Sequence, residues 1–249
     1  MSKPIPELSA LMPAYNEEEV LDSSISEAVV ALDDLCQTWE LVIVDDGSTD
    51  ATPEILREWS DRDPRVRAIT QPENSGYSRA LIDGFAACRF EAIFYTDADA
   101  QFDLGHIADL YPHLAEAEMV SGYRVGRQDR PVRHLTSAVY NWLQARMLGL
   151  RVKDVNCAFK LFRRSFFNHV ELSSDGFLID AELYARAQSA GLSWRQVGVP
   201  HRPRLSGTTT VSVSTVFETL RELRALKKSL DETVVAPRDT EQEGPLSSQ

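Results

Sequence analysis

The strongest constraint on this fold is a set of apolar runs that end abruptly in acids or in a Gly/Ser turn. Leu41-Val42-Ile43-Val44 leads straight into Asp45-Asp46-Gly47-Ser48-Thr49-Asp50. A strand without polar alternation is buried on both faces, as in a parallel sheet covered by helices. The unit recurs along the chain. Leu8 to Met12 stops at Pro13-Ala14, and Tyr15-Asn16-Glu17-Glu18-Glu19 follows, with acids that suit a helix start. Val20, Leu21, Ile25, Val29 and Leu32 then recur at helical spacing. Asp50 or Ser48 is placed to cap a second helix carrying Ile55, Leu56 and Trp59. Val66 to Ile69 is a third strand, Asn74-Ser75-Gly76 a turn, Tyr77 to Cys88 a third helix and Ala92 to Tyr95 a fourth strand. Strands alternating with helices in this way predict a doubly wound α/β fold. In such folds ligands bind beyond the carboxyl ends of the strands.

The fourth strand ends in Thr96-Asp97-Ala98-Asp99-Ala100-Gln101. On extended backbone, residues two apart share a face, so Asp97 and Asp99 point the same way. Carboxylates that close repel each other unless a cation lies between them. Hard divalent ions take oxygen ligands and keep positions open for substrate phosphates. The pair is therefore a candidate Mg²⁺ or Mn²⁺ site, with Gln101 as a neutral oxygen ligand or as a group behind the ligands. An isolated Asp-x-Asp is more often a solvated turn. Here Pro13 to Tyr15 and Asp45-Asp46 fall at neighbouring strand ends, and that convergence favours a site.

With 249 residues, 43% of them apolar and 26% charged, the chain is sized for one large domain or two small ones, with a substantial core. A net charge of −12 argues against a general nucleic-acid binder. Cys36, Cys88 and Cys157 have no metal-ligand spacing and read as reduced thiols of a cytoplasmic protein. No run is apolar enough to span a bilayer and no signal-peptide pattern opens the sequence. The acidic total hides an uneven distribution. Tyr123 to Val170 holds ten Lys/Arg against Asp129 and Asp154. Arginine's planar fork suits phosphate. Within that stretch His134 to Leu150 has helical apolar spacing, with the apolar and basic content of a core helix or of one lying on an anionic membrane.

Further along, Val155 to Phe162 is a strand candidate, Phe177 to Ala190 leads into a helix, and Trp194 to Val199 is a last strand. A loop over His201 to Thr210 precedes an amphipathic helix bearing Val216, Leu220, Leu223, Leu226 and Leu230 on one side and Arg221, Arg224, Lys227 and Lys228 on the other. A P-loop and a Gly-x-Gly-x-x-Gly turn are both absent, which disfavours a P-loop NTPase and a dinucleotide site. A metal-bound diphosphate with arginines around it suits the inventory. One rival is an Asp-x-Asp phosphatase, whose motif normally sits on the first strand.

Taken together, Pro13-Ala14-Tyr15-Asn16-Glu17-Glu18, Val44-Asp45-Asp46-Gly47-Ser48-Thr49-Asp50, Asn74-Ser75-Gly76 and Asp97-Ala98-Asp99-Ala100-Gln101 resemble the family 2 glycosyltransferases of GT-A fold. The resemblance is to their dolichyl/polyprenyl-phosphate hexose synthase branch. It implies a GT-A catalytic domain over 1–205, with a nucleotide-sugar half at 8–104 and an acceptor half at 105–205. The loop and amphipathic helix would occupy 206–232, and 233–249 would be a disordered acidic tail. It further implies that Pro13, Tyr15, Glu17, Asp45, Asp46, Asp97, Ala98 and Asp99 hold the nucleotide sugar. Asp97, Asp99 and Gln101 would hold Mg²⁺ or Mn²⁺. Arg124 and the loop residue Arg204 would face the donor phosphates. Arg133 and Ser137, one helical turn apart, would bind the acceptor's lipid phosphate.

The implied reaction is inverting transfer of a hexose from a nucleotide-diphosphate sugar to a polyprenyl phosphate, an anion that attacks without a general base. If the acceptor were a hydroxyl, Asp180 would be the base. The chain departs from the branch at Ala158, where many members carry Gly. It also has Thr208-Thr209-Thr210 where relatives often carry Ser-Lys, which leaves Arg204, with Arg202 beside it, to balance the diphosphate. Many relatives continue into transmembrane helices. Here membrane contact on the cytoplasmic face would rest on His134 to Leu150 and Val216 to Leu230, or on a membrane partner protein.

Overall fold

The structure is a computed structural model that describes residues 4–126, 143–174, 178–202 and 221–230. Among these, seven strands form one sheet: β1 (Ile5–Ala14), β2 (Cys36–Asp45), β3 (Val66–Thr70), β4 (Ala92–Thr96), β5 (Met119–Val125), β6 (Phe159–Arg163) and β7 (Trp194–Pro200). The helices that position the site are α1 (Leu21–Leu35), α2 (Thr52–Arg62), α3 (Tyr77–Ala87) and a fourth over Ile179–Ser189. The strand order is β3-β2-β1-β4-β6-β5-β7. β1 pairs in parallel with β2 and β4, β2 with β3 and β5 with β7, whereas β6 runs antiparallel to β4 and β5.

The central strands are apolar because both faces are covered. Ala10, Met12, Leu41, Ile43 and Phe94 pack on one face with Leu21, Ile25 and Leu32 of α1 and with Leu56 and Trp59 of α2. Their neighbours Leu11, Val42, Val44, Ile93 and Tyr95 turn to the other face, against Ala80, Leu81 and Phe85 of α3 and the Ile179–Ser189 helix. α3 lies so close that a Cβ on Gly84 would sit 2.3 Å from Leu11 Cδ1.

Several elements differ from the sequence reading. β2 starts at Cys36, ahead of the apolar run, because its pairing with β1 continues through Ile5↔Cys36 and Glu7↔Thr38 where the side chains of Gln37 and Thr38 face solvent. β5 carries no continuous apolar run, since Ser121 and Gly122 interrupt it. Ser121 is accommodated by the Tyr184 hydroxyl at 2.6 Å, and Gly122 by Val199, whose Cγ2 lies 2.8 Å from where a Cβ would be. β6 begins at Phe159 rather than Val155, because the carbonyls of Val155 and Cys157 accept from the buried Lys160 ammonium at 3.1 and 2.7 Å.

The acids after β1 precede α1 and tie its entry to the β2–α2 loop. Glu17 N donates to Thr52 Oγ1 at 3.0 Å, and Glu18 Oε2 accepts from Ala51 N at 2.8 Å. Asp50 Oδ1 accepts from Thr52 N at the start of α2, while Ser48 Oγ accepts from Asn16 N, each at 2.9 Å. The helical residues 143–148 and 221–230 belong to the predicted segments His134 to Leu150 and 206–232. The remainder of those segments and the 233–249 tail lie outside the described residues.

Gly47, in the turn after β2, has φ +69°, and a Cβ there would lie 2.5 Å from the Glu73 carbonyl carbon. Gly47→Ala therefore combines left-handed strain with a backbone overlap. We expect a loss of about 1–3 kcal/mol in urea unfolding, the usual scale for a residue forced into that region.

Candidate active site

β1 and β4 are neighbours in the sheet although β2 and β3 lie between them in sequence, so the chain reverses its direction of addition between them. At such a switch point the loops leave the strand ends in opposite directions and open a crevice. A cavity of about 500 Å³ occupies it, lined by Pro13, Ala14 and Tyr15 after β1, Glu17, Asp46 after β2, Asn74, Gly76, Tyr77 and Ala80, and Asp97, Ala98 and Asp99 after β4. Of the residues expected to hold a nucleotide sugar, Pro13, Tyr15, Glu17, Asp46, Asp97, Ala98 and Asp99 share this wall, and Asp45 does not.

The two adjacent aspartates of β2 have different surroundings. Asp46 accepts from Ser75 N at 2.8 Å and from Gly76 N at 3.0 Å, pinning the Asn74-Ser75-Gly76 turn against the cavity. Asp45 is fully buried: Oδ1 accepts from Ser48 N at 2.9 Å, and Oδ2 meets no hydrogen-bond partner among the described residues.

The Asp-x-Asp turn is held from several sides. Ser24 Oγ of α1 donates to Ala98 O at 2.6 Å, and Gln101 N donates to Asp99 Oδ1 at 3.2 Å. Ala100 takes φ +55°, which lets the backbone reverse between Asp99 and Gln101. Such strain collects at ligand-binding turns. Asp97 Oδ1 accepts from the Tyr77 hydroxyl at 2.8 Å. Burial pushes the Asp97 carboxyl up to about 7 and the charge of Asp99 pushes the same way, opposed by the Tyr77 hydrogen bond. A carboxylate so destabilised beside a second one is the environment a cation relieves.

Among the described residues no group of three or more His, Cys, Asp or Glu side chains could enclose a metal by itself. Two carboxylates facing a cavity fit instead an ion completed by a ligand's phosphates. Gln101 is 7% exposed and its amide nitrogen donates to Arg202 O at 3.2 Å.

Several basic residues of the second half go to internal partners, whereas Arg146, Arg151 and Lys153 are exposed. Arg124, on β5, binds Asp154 through two nitrogens, each at 2.7 Å. Lys160 is fully buried and donates to Asp180 Oδ1 at 2.6 Å. Arg163 and Arg164 donate to the carbonyls of Leu114 and Cys88, respectively. Arg202 pairs with Glu27 at 2.7 Å and with Asp103 at 3.2 Å, tying the segment after β7 to α1. Arg133, Ser137 and Arg204 lie outside the described residues.

Asp180, read from the sequence as a base for a hydroxyl acceptor, is 5% exposed and held by Lys160. Sequence reasoning gave Tyr77 and Tyr95 no role beyond a helix start and a strand. The available signal was a phenol directly after the Asn-Ser-Gly turn and another just before the motif.

Comparison with known proteins settles the family. Residues 9–171 match the model of Glycosyl transferase family 2. The chain belongs to that family. The match leaves the phosphatase reading without support. Among curated family relatives, the dodecaprenyl-phosphate galacturonate synthase of Rhizobium johnstonii is 28% identical over 87% of this chain and 65% of its own length. The undecaprenyl-phosphate 4-deoxy-4-formamido-L-arabinose transferase of Pectobacterium carotovorum is 29% identical over 88% of this chain and 67% of its own. The glycosyltransferase AglD of Haloferax volcanii is 29% identical over 80% of this chain, which spans 33% of that relative.

A solved structure of glucosyl-3-phosphoglycerate synthase from Mycobacterium tuberculosis, in complex with Mn²⁺, UDP and glucosyl-3-phosphoglycerate, has TM-score 0.68 at 20% identity. It covers 90% of this chain and 80% of the other. That likeness establishes the GT-A fold expected from the sequence.

The Asp97 environment predicts a pH signature. A carboxyl raised from 3.8 to about 7 on folding adds stability that is fully present below 3.8 and lost as pH rises through about 7. With EDTA present, the melting temperature of the wild type measured relative to Asp97→Asn should therefore fall between pH 5 and pH 8, conditions on either side of the folded value of about 7. Mn²⁺ with a nucleoside diphosphate should reverse the fall.

Proposed function

We propose that this chain is an inverting hexosyltransferase that moves a sugar from a nucleotide-diphosphate sugar to a polyprenyl phosphate. The observation that carries the reading is the pair Asp97 and Asp99 on the wall of the cavity at the β1/β4 switch point, in a chain of glycosyl transferase family 2. Asp97 and Asp99 would hold Mg²⁺ or Mn²⁺ against the donor diphosphate, where the ion offsets the charge that develops on the leaving group. Pro13, Tyr15, Glu17 and Asp46 would seat the nucleoside, with the turn at Asn74 to Gly76 fixed by Asp46. The structurally similar synthase crystallised with Mn²⁺ and UDP is in keeping with a divalent ion and a nucleoside diphosphate.

Two observations favour a phosphate acceptor over a hydroxyl. Curated relatives at 28–29% identity are named for transfer to dodecaprenyl or undecaprenyl phosphate. Asp180, the base a hydroxyl acceptor would need, is 5% exposed, paired with Lys160 at 2.6 Å and not part of the cavity wall. Arg133 and Ser137 would grip the lipid phosphate, and Arg204 would close over the donor.

No helix among the described residues is long and apolar enough to cross a membrane. In residues 221–230 Leu223 and Leu226 are buried in the core, while Arg221, Arg224 and Lys227 are exposed. The contact this helix offers the cytoplasmic face of a membrane is therefore its basic side, toward anionic headgroups.

Incubation with undecaprenyl or dolichyl phosphate and a panel of labelled nucleotide sugars tests the reading. The expected result is a sugar-labelled lipid phosphate whose formation requires Mg²⁺ or Mn²⁺ and is abolished by Asp99→Ala. Transfer by Asp99→Ala at the wild-type rate, or transfer to hydroxyl acceptors alone, would refute it.

A further inference from the structure

A line of buried polar groups runs from β6 and the Ile179–Ser189 helix to the Asp-x-Asp motif. Lys160 Nζ lies 2.6 Å from Asp180 Oδ1, and Tyr95 Oη lies 3.3 Å from the same oxygen. Tyr95 Oη is 2.7 Å from Tyr77 Oη, which is 2.8 Å from Asp97 Oδ1. Tyr95 and Lys160 are fully buried, and Asp180 is 5% exposed.

Donor and acceptor counting gives this line a direction. The three protons of the Lys160 ammonium go to the carbonyls of Val155 and Cys157 and to Asp180. Two phenol protons serve three contacts: with the Tyr77 proton on Asp97 Oδ1, the Tyr95 proton goes along the 2.7 Å contact to Tyr77, and the 3.3 Å approach of Tyr95 to Asp180 carries none. Tyr77 accepts that bond with its oxygen and gives its own proton to Asp97. Tyr95 in this way orients Tyr77, and Tyr77 holds one oxygen of Asp97.

We infer that Tyr77, braced by Tyr95, is a positioning residue of the metal site: its hydroxyl fixes the Asp97 carboxylate in the rotamer that presents it to the cation and donor diphosphate. The inference rests on the proposed role of Asp97 and Asp99. An outer partner of this kind orients a ligating carboxylate before the ion arrives, and removing one typically weakens metal binding by about 10–100-fold. Tyr77 lines the cavity itself, so its ring also closes the wall beside Asp97. Phenylalanine keeps that ring and deletes only the hydroxyl, with its bonds to Asp97 and Tyr95.

The test is a Mn²⁺ titration of the full chain followed by electron paramagnetic resonance, in the presence of UDP or GDP, whichever the wild type binds more tightly. Tyr77→Phe should weaken Mn²⁺ binding about tenfold or more, while nucleotide binding in EDTA changes by less than about twofold. Tyr95→Phe, which leaves the Tyr77–Asp97 contact but removes its brace, should give a smaller loss. The double variant should match Tyr77→Phe alone, because both changes act through one bond.

Mn²⁺ affinity in Tyr77→Phe equal to wild type would overturn the inference. So would equal losses of metal and metal-free nucleotide binding, which mark general loosening of the cavity. Should Tyr77→Phe not fold, wild-type Mn²⁺ affinity in Tyr95→Phe would overturn the bracing chain. Normal metal behaviour in the wild type without sugar transfer to polyprenyl phosphate would refute the acceptor assignment and leave this inference standing. A wild type that binds no Mn²⁺ would remove both.

Discussion

A strand buried on both faces can carry polar side chains only at its ends, or in its interior where another buried group satisfies them. β1 and β4 are such strands, paired at the centre of the sheet, and their polar groups sort accordingly. Toward the amino end of β1, Ser9 donates to Glu40 at 2.7 Å, and Glu40 is met in turn by Arg67 at 2.5 Å and by Arg89 N at 2.6 Å. At the carboxyl end the hydroxyl of Tyr95 is met by Tyr77 and Asp180, one residue before the sheet opens into the cavity. The opposite departure of the loops after β1 and β4 makes that opening, and the two aspartates fall where β4 leaves the core.

The same constraint explains how an acidic chain can carry a basic second half. Much of that charge is internal: Arg124 is bound to Asp154, Lys160 to Asp180, and Arg163 and Arg164 to backbone carbonyls. Partial burial makes these pairs costly to break and ties β5, β6 and the Ile179–Ser189 helix to the centre of the sheet. The cations available for anions are then a smaller set than the sequence count implies. In the proposed reaction Arg133 and Arg204 would serve, and among the described residues Arg146, Arg151, Lys153 and the basic side of helix 221–230 are exposed.

The first half of the fold was legible because its signals are redundant. Leu41 to Val44 and Ala92 to Tyr95 are uninterrupted apolar runs, each followed by acids and turn residues, and the first leads on to a periodic helix. The second half was less so. β5 is broken by Ser121 and Gly122, whose places depend on Tyr184 and Val199, more than sixty residues away in the chain. A lysine in β6 reads as exposed until Asp180 and two carbonyls are brought to it.

The site divides along the same line. Asp46, Asp97 and Asp99 announce themselves as acids at strand ends. Asp45 looks identical to Asp46 in sequence yet turns inward, because a strand end alternates sides. Tyr77 and Tyr95 were invisible because a phenol on a helix and another on a strand acquire a joint role only when α3 folds over β4.

In the proposed reaction the cavity at the β1/β4 switch point binds a nucleoside diphosphate through a cation held by Asp97 and Asp99. A crystal structure of the protein grown with Mn²⁺ and UDP or GDP, with anomalous diffraction recorded for manganese, tests it most directly. One anomalous peak is expected between the diphosphate and the two carboxylates, with the nucleoside beside Tyr15 and Asp46. Nucleotide bound outside this cavity, or within it without manganese at Asp97 and Asp99, would contradict it.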